Sequence, residues 1–334
     1  MVRLKDIAQE AGVSMMTVSR VMNGNKKEVS PKTAERILEI AARMGYVPNS
    51  SARSLASRSS RLIAAVLTDY GDARNPLCDS YNGCFFGEIA RLVQSEGYDL
   101  MIHYVKDYKD ISYSLKTWNV AGAVFLGMFD DTIREIQENN SIPLIFTDSY
   151  SSVRRIINVG IDDYEGGRLA AGHFLENGHT NLAFIGPKAL GNGLIMHRLQ
   201  GFCSCLRDAG VSLPQEHILP SGGEELTPLL EKLTSGPNPV TGIFTTSDTC
   251  ALDLYYSASC LGLRVPEDLS IIGFDDLPHS SRSLPPLTTV RQDIFRKAEV
   301  ACELLMKHIR EPESPAENIV LDVSLVVRGS VKKR

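Results

Sequence analysis

The sequence predicts two dissimilar parts: a basic three-helix head with a short hinge, and an acidic α/β body of two doubly wound lobes. Three observations carry this. Residues 1–61 hold 11 Lys and Arg against 5 Asp and Glu, a net of +6 that leaves −11 on the rest of a chain whose total is −5. From Leu62 onward, short apolar runs without strict alternation recur with amphipathic helical stretches, the pattern of parallel strands covered on both faces. Polar residues, mostly Asp, close several of those runs, and open α/β sheets bind ligands at such strand ends.

In the head, Leu4, Ile7, Ala8 and Ala11 recur at helical spacing, Gly12 stops the helix, and Ser14 is placed to cap a second one over Met15–Met22. Val18, Val21 and Met22 turn to one side of that helix. Ser30 and Pro31 open a third, with Ala34, Ile37, Leu38, Ala41 and Met44 as its apolar face and Gly45 as its end. Three short helices with a tight turn before the second are the geometry of a helix-turn-helix, and a basic head on an acidic body approaches a polyanion in one orientation. Residues 49–61 read as a Ser-rich hinge, too short and weakly helical to be stable alone. The expected division is 1–48 for the DNA-binding head, 49–61 for the hinge and 62–334 for the body.

In the body the runs LIAAVLTD, DLMIHYV, AGAVFLG, PLIFTDS, INVGID, NLAFIGP, GIFTTSD, LSIIGFDD, TTVRQD and NIVLDVSLVVRG predict roughly ten strands. A tract of that length divides more readily into two sheets than into one. The first helix is expected to begin near Phe85. Asp69, Asp148, Ser247 with Asp248, and Asp275 with Asp276 end four separate runs and suggest a polar solute site between the lobes. Each Asp is equally placed to cap the helix that follows it.

Enzymatic readings lack their motifs. No G-x-G-x-x-G follows the first strand, and no Walker-type loop, H-E-x-x-H or G-x-S-x-G is present. The 7 cysteines are scattered and odd in number, which fits reduced thiols, and Cys203 and Cys205 have no neighbouring Cys or His cluster to complete a zinc site. No cofactor or metal is expected. With no long apolar stretch and no signal-peptide pattern, the expected location is the cytoplasm.

DIAQEAGVSMMTVSRVMNG, followed by VSPKTAERILEIAARMGYVPNSSARSLAS, resembles the amino-terminal region of the LacI/GalR family of bacterial transcription regulators. The resemblance implies a homodimer whose second helix enters the major groove of a pseudo-palindromic operator. Met15 and Met16 would then set operator preference through thymine methyls or groove shape, and Arg20 would read guanine. Thr17, Ser19 and Asn23 would hold phosphates. The hinge would fold against the minor groove with Ala52 and Leu55 on the DNA, Leu55 as the wedge at the central base step.

The body resembles the family's regulatory domain, itself similar to periplasmic sugar-binding proteins, through FFGEIARLV, VGIDDYEGGRLAAGHFLENGH, RLQGF, TTSDTCALDL, RVPEDLSIIGFDD and LTTVRQD. The likeness implies a small sugar-like effector held by Arg198, Asp148, Asp275, Ser247 and Asp248, with Phe85 and Phe86 as an aromatic pair beside it. Ser247 stands where the family often has Asn, and the loop from Thr68 to Cys84 is longer than usual. The implied function is a ligand-controlled repressor of carbohydrate genes. Two alternatives are corepression by a purine-like or phosphorylated ligand or a phosphoprotein, and a solute-binding protein without a DNA role. The complete head speaks against the second. No leucine-heptad tail follows Val327 to pair dimers into tetramers.

Overall fold

A computed structural model describes residues 2–22, 24, 29–47, 60–68, 75–106, 111–127, 130–149, 155–187, 193–221 and 226–334. It forms two compact units, Met1–Ser60 and Arg61–Arg334.

The first unit contains α1 (Leu4–Ala11), α2 (Met15–Met22) and α3 (Pro31–Arg43). Asp6 closes the start of α1 by accepting from the Arg3 amide at 2.8 Å. At its end Gly12 takes φ 62°, the left-handed conformation that glycine adopts without strain, and the Val13 amide donates back to the Ala8 carbonyl at 3.1 Å. Ser14 then caps α2 through the Thr17 amide at 3.1 Å, and Ser30 caps α3 through the Thr33 amide at 3.2 Å. The core consists of Ile7, Ala8, Ala11, Val18, Val21, Ala34, Ile37, Ile40 and Ala41. Leu38 and Met44, expected on the apolar face of α3, lie outside this fully buried set, whereas Ile40 is in it. The buried stripe is rotated slightly from the one read in the sequence.

The second unit holds β1 (Leu62–Thr68), α4 (Ser80–Ser95), β2 (Asp99–Val105), α5 (Ile111–Thr117), β3 (Gly122–Leu126), α6 (Asp130–Asn139), β4 (Leu144–Thr147) and β5 (Ile157–Ile161). It continues through α7 (Asp163–Glu176), β6 (Leu182–Gly186), α8 (Leu194–Asp208), β7 (Ile218–Pro220), α9 (Leu226–Thr234), β8 (Gly242–Thr245), α10 (Asp248–Cys260) and β9 (Ser270–Asp275). Last come β10 (Thr288–Gln292), α11 (Ile294–Arg310), β11 (Asn318–Leu321) and β12 (Val323–Val326). The strands form two 6-stranded sheets, ordered β11-β5-β4-β3-β1-β2 and β12-β10-β9-β8-β6-β7. All pairings are parallel except β10 with β12.

Burial on both faces explains the missing alternation in the sequence. Ile63, Ala65 and Leu67 of β1 pack with Phe85, Phe86 and Ile89 of α4, while Ala64 and Val66 pack on the other face with α5 and α6. The chain passes between sheets before α7, between β10 and α11, and at Asp322 between β11 and β12. Helix α4 begins at Ser80, ahead of the expected start near Phe85. The 3₁₀ turn Pro76–Cys78 and the Asp79 carboxylate, which accepts from the Asn82 amide at 3.1 Å, nucleate it there.

Helices α7 and α8 meet backbone to backbone. A Cβ added at Gly201 would stand 1.8 Å from the Tyr164 carbonyl oxygen, and one at Gly167 would stand 2.0 Å from the Arg198 carbonyl oxygen. Neither neighbour can yield without moving a helix. Gly201→Ala is expected to cost about 3 kcal/mol or more through overpacking, measured by denaturant unfolding, and to weaken whatever Arg198 binds.

Candidate functional site

Residues at the carboxyl ends of both sheets line one cleft of about 310 Å³. The first sheet supplies Leu67, Leu126 and Asp148; the second supplies Thr246, Ser247, Asp275 and Gln292. Asp79, Tyr81 and Asn82 enter from the start of α4, and Leu194, Ile195 and Arg198 from α8. Two of the carboxylates sit on unusual backbone, Asp148 at φ 51° and Asp275 at φ 112°. Such conformations cost a non-glycine residue free energy, and they concentrate at functional sites.

Arg198 is buried. Its Nε donates to Asp163 Oδ1 at 2.7 Å and its Nη1 to the Thr246 carbonyl at 2.5 Å, while the guanidinium lies 3.5 Å from the centroid of the Phe274 ring. Burial opposes its charge, but the Asp163 and Asp275 carboxylates outweigh that, and its pKa stands above the ordinary value. Among the described residues the Nη2 group has no hydrogen-bond partner, and it lies at the residue's cleft side, where a solute can accept from it.

A second polar group joins the two lobes. Lys297 of α11 is fully buried and donates to Asp148 Oδ1 at 2.7 Å, to Gln292 Oε1 at 2.6 Å and to Tyr81 Oη at 3.0 Å. Tyr81 in turn donates to Asp148 Oδ2 at 2.9 Å, and Gln292 Nε2 donates to Asp275 Oδ1 at 2.6 Å. Burial and then Asp148 push the Tyr81 phenol well above its usual pKa, so it remains a donor. Burial also raises the Asp275 carboxyl well above the carboxylate range, against the opposing effect of Arg198. The cleft therefore presents fixed acceptors and donors for a polar solute. Among the described residues no group of His, Cys, Asp and Glu is arranged to hold a metal ion.

Of the residues expected at this site, Arg198, Asp148, Ser247 and Asp275 meet in the cleft. Ser247 also caps α10, its Oγ accepting from the Cys250 amide at 3.2 Å. Three expectations need correction. Phe85 and Phe86 are buried in the core beside β1 and α11 and do not line the cleft, because the early start of α4 carries them past its mouth. Tyr81, one turn earlier and stacked near Phe85 with ring centroids 6.3 Å apart, is the aromatic residue that lines it. Asp248 is likewise no lining residue.

Asp248 accepts instead from the Leu277 amide at 2.8 Å, Ser280 Oγ at 2.6 Å and Thr289 Oγ1 at 2.5 Å, and burial pushes its pKa up to about 6. It ties α10 to the segments after β9 and within β10. Asp248→Ala would strand three buried donors and is expected to cost about 3 kcal/mol in thermal or denaturant unfolding, with solute affinity of the folded protein retained.

In the first unit, Met15 and Met16 are the exposed apolar residues of α2, at 59% and 65% exposure. Arg20 is exposed beside them, and Thr17 and Ser19 are half-buried, with the Thr17 hydroxyl 2.8 Å from Ser14 Oγ. Asn23, Ala52 and Leu55 lie outside the described residues, as does Asp69.

Sequence reasoning missed Asp79, Tyr81, Asp163, Thr246, Gln292 and Lys297. The signal for Lys297 was present as a lysine on the same helical stripe as Ile294, Ala298, Ala301 and Leu305.

Residues 3–49 match the profile described as bacterial regulatory proteins, lacI family, and residues 171–331 match a periplasmic binding protein-like domain. The chain is 31% identical to the probable HTH-type transcriptional repressor ExuR of Bacillus subtilis, over 100% of this chain and 99% of that protein. Among solved structures it resembles the Lac repressor dimer bound to operator and the anti-inducer ONPF, with TM-score 0.83 and 26% identity over 99% of each chain. A LacI family transcriptional regulator from Enterococcus faecium with bound ribose matches with TM-score 0.70 and 26% identity, over 82% of this chain and 99% of that one.

Proposed function

The chain belongs to the lacI family of bacterial regulatory proteins, and from that premise we propose that it represses genes of carbohydrate metabolism in response to a sugar-like effector held in the cleft. It is a DNA-binding repressor regulated by a small ligand and not an enzyme. The observation that carries the finer reading is the cleft itself. Asp148, Asp275 and Gln292 from the ends of both sheets and Arg198 from α8 converge on a volume of about 310 Å³, with apolar Leu67, Leu126 and Ile195 between them. Directional polar groups spaced by apolar surface suit a polyhydroxylated ring. The ribose complex of the Enterococcus faecium relative supports the same solute class.

The division of labour we propose gives the operator contacts to residues 1–48 and the hinge, and the effector and the dimer partner to the body from residue 62. Exposure of Met15, Met16 and Arg20 on one helix supports base reading by α2 in the major groove, with Thr17, Ser19 and Asn23 on phosphates. Methionine offers no strong hydrogen bond to a base edge, so Met15 and Met16 read thymine methyls and groove shape. Ala52 and Leu55 take the minor groove, Leu55 as the wedge. Closure of the lobes on the effector changes the placement of the two hinges in the dimer, which couples solute binding to operator affinity in both directions.

Operator and random-duplex affinities at several salt concentrations, with a bending assay, test this. Leu55→Ala is expected to lower operator affinity steeply, because alanine cannot offset unstacking of a base step at about a few kcal/mol. Random-duplex binding should keep its magnitude and salt slope. Met15→Ala should change the ranking of operator sequences and leave the bend intact. A Leu55→Ala protein that binds and bends its operator like the parent sinks the wedge assignment.

A further inference from the structure

Among the described residues, the exposed sulfur of the head is concentrated in one place. Of the described methionines only Met15 and Met16 are exposed, at 59% and 65%; Met22, Met44, Met101 and Met196 are half-buried and Met306 is buried. Both stand in the first turn of α2, directly after the Ser14 cap, and neither belongs to the core of the head. Residues 1–61 contain no cysteine, and the exposed thiols, Cys78 and Cys260, belong to the body. An oxidant that reaches α2 therefore meets two accessible thioethers, and their conversion leaves the packing of Ile7, Val18, Val21 and Ile37 intact.

Resting on the reading of α2 as the helix that enters the major groove, we propose that Met15 and Met16 are a modification site: oxidation to methionine sulfoxide by a peroxide changes what the helix reads and releases the operator. In the step a sulfur lone pair attacks one peroxide oxygen. An S–O bond forms as the O–O bond breaks, and the departing hydroxide takes the proton of the transferred oxygen to leave as water. Sulfur is thereby oxidised by two electrons and the peroxide is reduced. The thioether makes apolar contact, with a thymine methyl as its complement. The sulfoxide is polar and its oxygen is a strong acceptor. It loses that partner, opposes the acceptor O4 of thymine, and pairs instead with the amino hydrogens of adenine N6 or cytosine N4. Oxidation exchanges one sequence preference for another, while the phosphate contacts proposed for Thr17, Ser19 and Asn23 keep nonspecific binding in place.

The test uses the full-length protein and the duplex it selects from a random-sequence library. The protein is treated with hydrogen peroxide, then with catalase and dithiothreitol, so that reversibly oxidised thiols are returned and sulfoxides remain. Peptide mass spectrometry should find Met15 and Met16 converted ahead of Met22, Met44, Met101, Met196 and Met306. Affinity for the selected duplex is expected to fall about 5-fold or more, the cost of a mismatched base contact, with random-duplex affinity unchanged. Reselection with oxidised protein should replace thymine by adenine or cytosine at the contacted positions. Methionine sulfoxide reductases A and B together should restore the original affinity, one acting on each epimer. Met15→Leu with Met16→Leu, compared only with its own untreated affinity, should not respond to peroxide. Earlier conversion of any of the other five methionines overturns the proposal, as does a double variant that is as peroxide-sensitive as the parent. If Met15→Ala with Met16→Ala ranks duplexes as the parent does, the reading of α2 fails and the proposal with it. A changed ranking in that variant, beside unchanged binding by the oxidised parent, overturns the oxidation proposal alone.

Discussion

Arg198→Ala is expected to abolish the response to effector and to destabilise the body at the same time. The two effects have separate causes. The guanidinium donates to Asp163 and to the Thr246 carbonyl while lining the cleft, and both side chains of the ion pair are almost wholly buried. Removing one partner of a buried pair costs about 3–5 kcal/mol because the other charge loses its compensation. Loss of hydrogen bonds from a charged donor to the solute costs about 1.5–3 kcal/mol, roughly 10–150-fold in affinity. Arg198→Lys separates them. It keeps a cation for Asp163 and so retains most of the stability, but it lacks the planar fork and should still lose effector affinity. Unfolding and calorimetric titration of both variants check this. Operator binding without effector should stay within about a few fold in either variant, since coupling acts only through the bound solute. Unchanged effector affinity in Arg198→Ala would remove Arg198 from the site.

Deleting residues 1–60 is expected to produce the largest effect on DNA. The fragment from Arg61 to Arg334 forms its own compact unit with both sheets and the whole cleft. It should fold, dimerise and bind effector as the full chain does. Specific operator binding, typically about 10³–10⁷-fold tighter than nonspecific binding, should vanish. Nonspecific binding should vanish with it, because phosphate neutralisation rests on basic groups and the remaining body is acidic. Gel-shift and sedimentation measurements decide the matter. An unfolded fragment, or one that still binds operator, contradicts the division.

Much of this organisation was legible in the sequence because local chemistry marks it. Gly12, Ser14, Ser30 and Pro31 punctuate the head, and the bounds expected for α1 and α2 coincide with those observed. Asp148, Ser247 and Asp275 end apolar runs, and all three reach the cleft. The errors arose where partners are distant along the chain. Lys297 and Asp148 are 149 residues apart, and a lysine in a helix reads as solvated until its carboxylate is known. Phe85 and Phe86 were misassigned because the start of α4 depends on the Asp79 cap and the turn at Pro76, which shift the cleft-facing position to Tyr81. Asp248 shows the limit of strand-end reasoning. The same residue type at the same topological position serves the frame, holding Leu277, Ser280 and Thr289.

The proposed repressor works only if solute in the cleft and operator on the head are energetically coupled. Reciprocal titration tests it most directly: operator affinity with and without saturating solute, and solute affinity with and without operator. Both affinities are expected to change by one common factor, about 5–150-fold. Operator affinity that does not move when a solute is bound in the cleft would contradict it.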